Sequence, residues 1–478
     1  MGKIRNIIFF ACAVLLFVAC EADKINTSPA VKLGFSTEKV LFDTVFTNRG
    51  NSTKRFKIYN PTKNKLIITS VRLNQDGAYS INFDGSKGCS FDKVTMEAGD
   101  SLVVYVQVFI DPNDKETPFF VRDSIMFLTN GNEQKVYLEA YGQNAKYFKV
   151  HEFAADTVIT GEIPILVQDT LRVPSDVTLS LTDGAALYFC KNAVLEIGGT
   201  LKIKGSLESP VVLRGDRSDY MNTNPPLCYD HASGQWEGIK FTKTSVNNTI
   251  AYGCIRNATF GMEMDSLDVS HDALFIENSR IYNSSGSVIT TVNADVTIKN
   301  SLLYNAGGSV LDITGGKLDV RHCTIANYYS FSWGKRSAAS VNLRNQTALG
   351  TLMPLDAVFY NNIIYGTYNN EITFVKKDGA NDNISYKFSH CLLKQLKSNI
   401  DEHYEECIVN LTPQFVFEGW SEEKRKLFPH QYDFHLMGGS PAIGRADFAV
   451  SLTIPLDLDG ESRTSDGSSD IGCYEFRQ

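Results

Sequence analysis

The sequence predicts an all-β chain, a β-sandwich over residues 31–145 followed by a parallel β-helix. Three observations carry this. The second half repeats itself: residues 274–283, 296–305 and 318–327 align without gaps, each starting 22 residues after the last. The first part is a run of short alternating strands separated by turn residues. Nowhere does apolar spacing follow a helical period over a useful length.

The N-terminus comes first in the chain and is unlike the rest. Lys3 and Arg5 precede the apolar run Ile7–Val18, which is 12 residues long and too short for a bilayer core that needs ~20. Ala19-Cys20 closes it. This arrangement resembles the lipobox of bacterial lipoproteins. The resemblance implies that residues 1–19 are removed, that Cys20 is lipidated, and that the chain is exported and anchored to the outer membrane. Glu21 and Asp23 resemble the surface-export signal of Bacteroides-type lipoproteins. Residues 20–30, with Pro29, read as a tether.

Removing the leader takes Lys3 and Arg5 from 46 basic residues, leaving 44 against 54 acidic, a net of −10. That excess excludes nucleic acid as the main partner. It also disfavours long polyanionic glycans, unless a local basic strip or a metal intervenes. Eight cysteines remain beyond Cys12 and Cys20, with no CxxC spacing, so a zinc ribbon is not expected. They read mainly as small buried side chains, with one or two disulfides left open.

Across 31–145, Lys54–Tyr59 alternates polar and apolar and stops at Asn60-Pro61. Leu66–Leu73, Leu102–Val108, Asp123–Leu128 and Gln134–Tyr141 follow, punctuated by Ala98-Gly99-Asp100 and Asn130-Gly131. Such strands predict an antiparallel sandwich. The strings Tyr59-Asn60-Pro61, Ala98-Gly99-Asp100-Ser101 and Leu128-Thr129-Asn130-Gly131 resemble immunoglobulin-like modules of bacterial surface proteins. The expected role is a spacer.

In the repeat, positions 274, 276 and 281 are apolar in every copy. Two short strands with a polar elbow cannot bury one apolar face alone, so coil must stack on coil. Asn278, Asn300 and His322 share one elbow, joined by Asn361 and His390 in looser copies. Asn283, Asn305 and Asn327 share another. Both columns are expected to be structural ladders, because asparagine tolerates unusual backbone angles and its amide can bond to the next coil. That expectation takes His322 and His390 away from catalysis.

The glycine-punctuated strands of 177–213, the repeat, and the ending Asp433–Leu436, Gly439–Ile443, Asp457–Gly460 and Asp470–Glu475 resemble the pectate-lyase-like right-handed β-helix superfamily. The fold class is therefore an immunoglobulin-like N-terminal β-sandwich followed by a right-handed parallel β-helix over 146–432. Residues 433–478 are its closing segment, expected to cap the last coil.

The resemblance implies carbohydrate along an outward strand face. Glu277, Lys299 and Arg321 fall in one outward column. The 39-residue step from 318 to 357 holds an insertion carrying Tyr328, Tyr329, Trp333, Lys335 and Arg336, a candidate sugar platform. For a lyase, Asp295, Asp312 and Asp319 with Lys317 and Arg321 are the groups in the right region. The Asn-Thr-Asp and Gly-His-Gly strings of galacturonase-like hydrolases do not occur. The function expected is a cell-surface glycan-binding or scaffold lipoprotein without a metal or cofactor. The alternatives are a polysaccharide lyase or hydrolase, with calcium in the lyase case, and an adhesin. Partners are the membrane, through the lipid, and a polysaccharide. Oligomeric state is not legible.

Overall fold

A computed structural model describes residues 24–50, 53–75, 77–114, 118–219, 228–265, 273–329, 335–376, 383–417 and 432–477. The chain divides into two units, at Asn144 and Ala145. Cys20 lies outside the described residues, and among these no helix is long and apolar enough to cross a membrane.

The first unit is a sandwich of two five-stranded sheets. One contains Gly34–Phe35, Lys54–Tyr59, Ser101–Val108, Tyr79–Phe83 and Ser86–Gly88, in that order. The other orders Lys39–Phe46, Asn132–Gln143, Phe119–Thr129, Leu66–Leu73 and Ser90–Met96. Alternation drives it: Phe56 and Ile58 are buried between the exposed Arg55, Lys57 and Tyr59. Two expectations are corrected. Lys39–Phe46 pairs parallel with Asn132–Gln143, so the sandwich is mixed. The described part of the tether is not free: Asn26 N–H donates to Lys65 O at 2.8 Å, and Asn132 Nδ2 donates to Pro29 O at 2.7 Å.

The second unit is a parallel β-helix with three faces. The first face is an 11-stranded parallel sheet running from Lys146–Phe148 to Ile408–Val409. A 17-stranded sheet supplies the other two as parallel columns, the second face running through residues 289–292 and 311–314 and the third through residues 296–299 and 318–321. Its long strands Ile289–Lys299 and Leu311–Arg321 bend across both. Ile276 stands against Ile298, and Ile298 against Val320. The same column continues through Phe359, Phe388 and Tyr404, whose rings stack at 4.6 Å and 4.9 Å.

The elbow between third and first faces explains the repeated Asn and His. Asn278, Asn300, His322, Asn361 and His390 all have φ between 45° and 58°, a region asparagine enters at low cost. Asn300 Nδ2 donates to Asn278 Oδ1 at 2.7 Å, and Asn361 Nδ2 lies 2.9 Å from His322 Nε2. His390 Nδ1 lies 3.1 Å from Ser389 Oγ. The other column works differently. Asn283 Nδ2 donates to His231 O, Asn305 Oδ1 accepts from Tyr329 N–H, and Asn327 Oδ1 accepts from Ala306 N–H. These amides tie down loops and backbone of the inserted segments and neighbouring coils.

A further column went unread in the sequence. The residue after each elbow is small: Ser279, Ser301, Cys323, Asn362 and Cys391, with Cys407 following Glu406, whose φ is 50°. Ser279 Oγ and Ser301 Oγ each donate back two residues at 2.7 Å, and Cys323 N–H donates to Asn362 Oδ1 at 2.8 Å. The signal was present as the recurring pairs Asn-Ser and His-Cys.

The closing segment does not cap the last coil. It lies along the outer side of the first face, bonding to Arg280, Asn300, Thr324 and Asn361 in successive coils. The reason is apolar area. Outward Leu302, Ala326, Ile363 and Leu392 form a second hydrophobic layer with Phe434, Leu436, Leu458 and Ile471. Asp457 organises the segment's turn by accepting from the backbone N–H groups of Asp459, Glu461 and Glu475.

Candidate functional site

With the first face covered by its own chain along these coils, the second and third faces are where a ligand has access. At the corner between them the long strands must turn. Asn293 has φ 52° there, and Gly315 and Gly316 have φ 65° and 83°. A Cβ on Gly316 would stand 2.2 Å from Ala294 O, so only glycine fits. This tight corner makes room beside it for a cleft of about 420 Å³. Pro354, Leu355 and Ile384 contribute its apolar wall, and Lys317, Asp356, Asn383 and Ser385 its polar groups. The size falls within the ~300–1,000 Å³ of small-ligand clefts.

Stacking aligns these groups. Asp295, Lys317, Asp356 and Ser385 face one another across four coils. Lys317 Nζ is 3.7 Å from Asp295 Oδ2. Two outward columns over, Glu277, Lys299, Arg321 and Tyr360 are in register. Arg321 is held on its own strand by Asp319, with two contacts of 2.8 Å. Lys299 lies over the Phe275 ring at 5.4 Å. On the second face Asp312 accepts from Asn342 Nδ2 and Arg344 Nε, both at 3.1 Å. Nearby Glu263 has its carboxyl raised above the usual range, chiefly by burial.

The three aspartates proposed for lyase chemistry are therefore dispersed. Asp295 is at the corner, Asp312 on the second face and Asp319 on the third. Among the described residues, the ligating groups that do converge are Asp401, Glu402 and His403, all exposed, with atoms within 4.8 Å. Asp401 there already accepts from the Tyr386 hydroxyl at 2.6 Å.

The aromatic insertion is also different from the expectation. Tyr328 is buried against Phe434, with ring centroids 6.2 Å apart. Tyr329 is buried with its hydroxyl 2.9 Å from Ser233 Oγ. Neither ring is open for a sugar, because chain segments remote in sequence cover both. The Arg336 side chain is buried too, in an ion pair with fully buried Glu371. Glu371 also accepts from the Ser340 hydroxyl at 2.7 Å and Tyr368 N–H at 2.8 Å. Trp333 lies outside the described residues. The cleft residues Asn293, Asp356, Asn383 and Ser385 were missed. Their only sequence signal was Gly315-Gly316 aligned with Asn293-Ala294.

No protein-family model and no curated protein matches the chain. Among solved structures, it is similar to the pectate lyase Pel9A at 9% identity and a TM-score of 0.35, over 70% of this chain and 97% of that one. It is also similar to the catalytic unit of a GH87 α-1,3-glucanase from Streptomyces thermodiastaticus, at 11% identity and a TM-score of 0.25, over 71% and 73%. A family 123 glycoside hydrolase from Clostridium perfringens matches at 10% identity and a TM-score of 0.18, over 24% of this chain and only 30% of its own length. None reaches a TM-score of 0.5, and none defines chemistry for this chain.

Proposed function

We propose that the protein is an exported lipoprotein, anchored through Cys20, whose β-helix binds a polysaccharide. The coil stack is taken as right-handed and the sandwich as immunoglobulin-like. The observation that carries the reading is the corner cleft. It joins an apolar wall to an amide, a hydroxyl and opposite charges, a mixture suited to the apolar faces and hydroxyl rims of sugars. Register with neighbouring columns extends these polar groups along the stack, as a chain-like ligand requires.

A second reading is favoured by one feature at the edge of the same cleft, where Asp295 pairs with the lining residue Lys317. Asp295 and Asp356 flank Lys317 two strand spacings apart, ~9–10 Å between Cα atoms. A backbone spacing of that order lets the two carboxyls reach the ~6.5–9.5 Å separation used by inverting glycosidases. The function would then be a polysaccharide hydrolase.

A glycan array on residues 20–478, with a reducing-sugar assay with and without calcium, tests both. Retention of a glycan that is lost in Lys317→Ala and Asp356→Ala, without product release, is the expected result. Product release that disappears in Asp356→Asn establishes the hydrolase. Binding unchanged in both variants refutes the cleft as the site. Acyl incorporation persisting in Cys20→Ala refutes the anchor.

A further inference from the structure

The sandwich was expected to be a spacer, yet one of its sheets has a composition at odds with the chain. The sheet of Gly34–Phe35, Lys54–Tyr59, Tyr79–Phe83, Ser86–Gly88 and Ser101–Val108 contains Lys54, Arg55, Lys57 and Lys87 and not one acidic residue. The whole chain has 54 acidic residues against 46 basic. Among the described residues, no acidic group pairs with Arg55, Lys57 or Lys87, whereas Lys39, Lys65 and Arg122 elsewhere in this unit are ion-paired. An exposed cation gains little from a surface pair, so the lack of pairs costs the fold little and leaves these charges to an outside anion.

The strand register turns these residues into a row. Arg55 faces Tyr105, Tyr105 faces Asn82, and Asn82 faces Lys87. Four neighbouring strands place a cation, a phenol ring, an amide and a second cation across about 14 Å. The next row sets Gln107 opposite Ser80. Between the rows is a concavity of about 460 Å³. Tyr105 is 39% exposed at its rim. Asn82 also lines this concavity, and its Oδ1 is itself buried and has no hydrogen-bond partner among the described residues. Gln107 donates Nε2 to Thr53 Oγ1 at 2.9 Å, which leaves its carbonyl oxygen as an acceptor on the same rim.

We infer that this outer face of the sandwich is a binding site for an acidic oligosaccharide, one carrying carboxylate or sulfate groups. Each component has a partner in that chemistry. The Tyr105 ring offers a flat surface to the C–H face of a pyranose. Gln107 Oε1 accepts from a sugar hydroxyl, with Asn82 lining the concavity beside it. Arg55 and Lys87, at opposite ends of the row, meet acidic groups on flanking sugars, and the width of the row suits a short chain better than one small ion. A purely electrostatic membrane contact would use the cations and leave the ring, amides and concavity without a role. The inference is independent of the corner cleft, which belongs to the other unit.

The test measures binding of the whole mature chain to a polygalacturonate oligosaccharide and to a heparin oligosaccharide, which separate carboxylate from sulfate. A laminarin oligosaccharide serves as the neutral control and phosphatidylglycerol vesicles as the lipid control. The expected result is binding of at least one acidic probe and not the neutral one, weakening as salt rises. Tyr105→Thr, which keeps strand propensity, and Arg55→Ala with Lys87→Ala should each weaken that binding at least tenfold, and Lys317→Ala should not change it. Lys87→Glu provides a second charge variant on an exposed turn-side strand. The inference is overturned if neither acidic probe binds, or if the sandwich variants bind as the parent does. It is equally overturned if only Lys317→Ala reduces binding, or if the charge variants reduce vesicle and saccharide binding alike while Tyr105→Thr changes nothing.

Discussion

Arg463→Met should detach the closing segment from the coils it covers, and by an amount that depends on pH. Arg463 is fully buried and donates Nη1 to Glu475 Oε1 at 2.8 Å and Nη2 to Asn300 Oδ1 at 2.6 Å. It thus joins the elbow ladder to the last residues of the fold. Removing one member of a buried pair costs ~3–5 kcal/mol, since the other charge is left without compensation. Glu475 moderates that cost. Burial pushes its carboxyl up to about 8 even beside Arg463, and losing the guanidinium pushes it further in the same direction. At pH 6 the variant can hold Glu475 protonated, and the charge penalty is largely avoided. As pH rises through 8 and beyond, the unfolded chain has already released this proton and the folded variant must either keep it or bury a naked charge, so the loss grows toward the full ~3–5 kcal/mol. Amide hydrogen exchange at Ile471 and Gly472, which donate to Ala442 O and Asn361 O, reports release of the segment directly. Denaturant titrations at pH 6 and 9 report its magnitude. Adding Glu475→Gln should recover most of the loss at pH 9. A variant within ~0.5 kcal/mol of the parent at pH 9, or one losing the same amount at both pH values, would refute the argument.

His435 should give the closing segment an alkaline limit. Asp433 first and Asp459 second hold its imidazole up to about 9, at 2.6 Å and 2.8 Å. A raised histidine contributes fully below its unfolded value near 6.5 and loses that contribution as pH climbs through about 9. With 35% of the side chain exposed, the slope is modest, and His435→Gln should flatten it in thermal melts across pH 6–10. Glu371→Ala leaves the Arg336 charge without its carboxylate, though still bonded to Asn327 O and Ala338 O, and should cost ~3–5 kcal/mol in denaturant titrations; Glu371→Gln keeps an acceptor for Tyr368 N–H, can donate to Ser340 Oγ, and should cost less. At Asn361, φ 58°, alanine should cost ~1–2 kcal/mol more than glycine because it adds left-handed strain to the same lost bonds; equal melting temperatures for the two variants would remove strain from the account.

Much of the coil stack was legible because stacking is a constraint that recurs. Ile276, Ile298 and Val320 meet only if each coil repeats the same residue at the same place, so contact in space is written as a period in the chain. The elbow asparagines were legible for a related reason, since a positive φ must be supplied locally by a residue that tolerates it. The charged column Glu277, Lys299 and Arg321 follows from the same period. What such a column bonds to does not, and Arg321 turns to Asp319 on its own strand.

The sequence by itself determined the all-β character, the repeat length and which residues turn the elbow between the third and first faces, because each is a local or periodic demand on the chain. Tertiary structure alone decided which outward face stays open. Tyr328 looked like an available ring until Phe434, more than a hundred residues away, covered it. The same segment buried Arg463 against Asn300 and closed the first face. Burial by a remote segment leaves no period and no local signature, so accessibility, and with it the position of the cleft, came only from the packed coils.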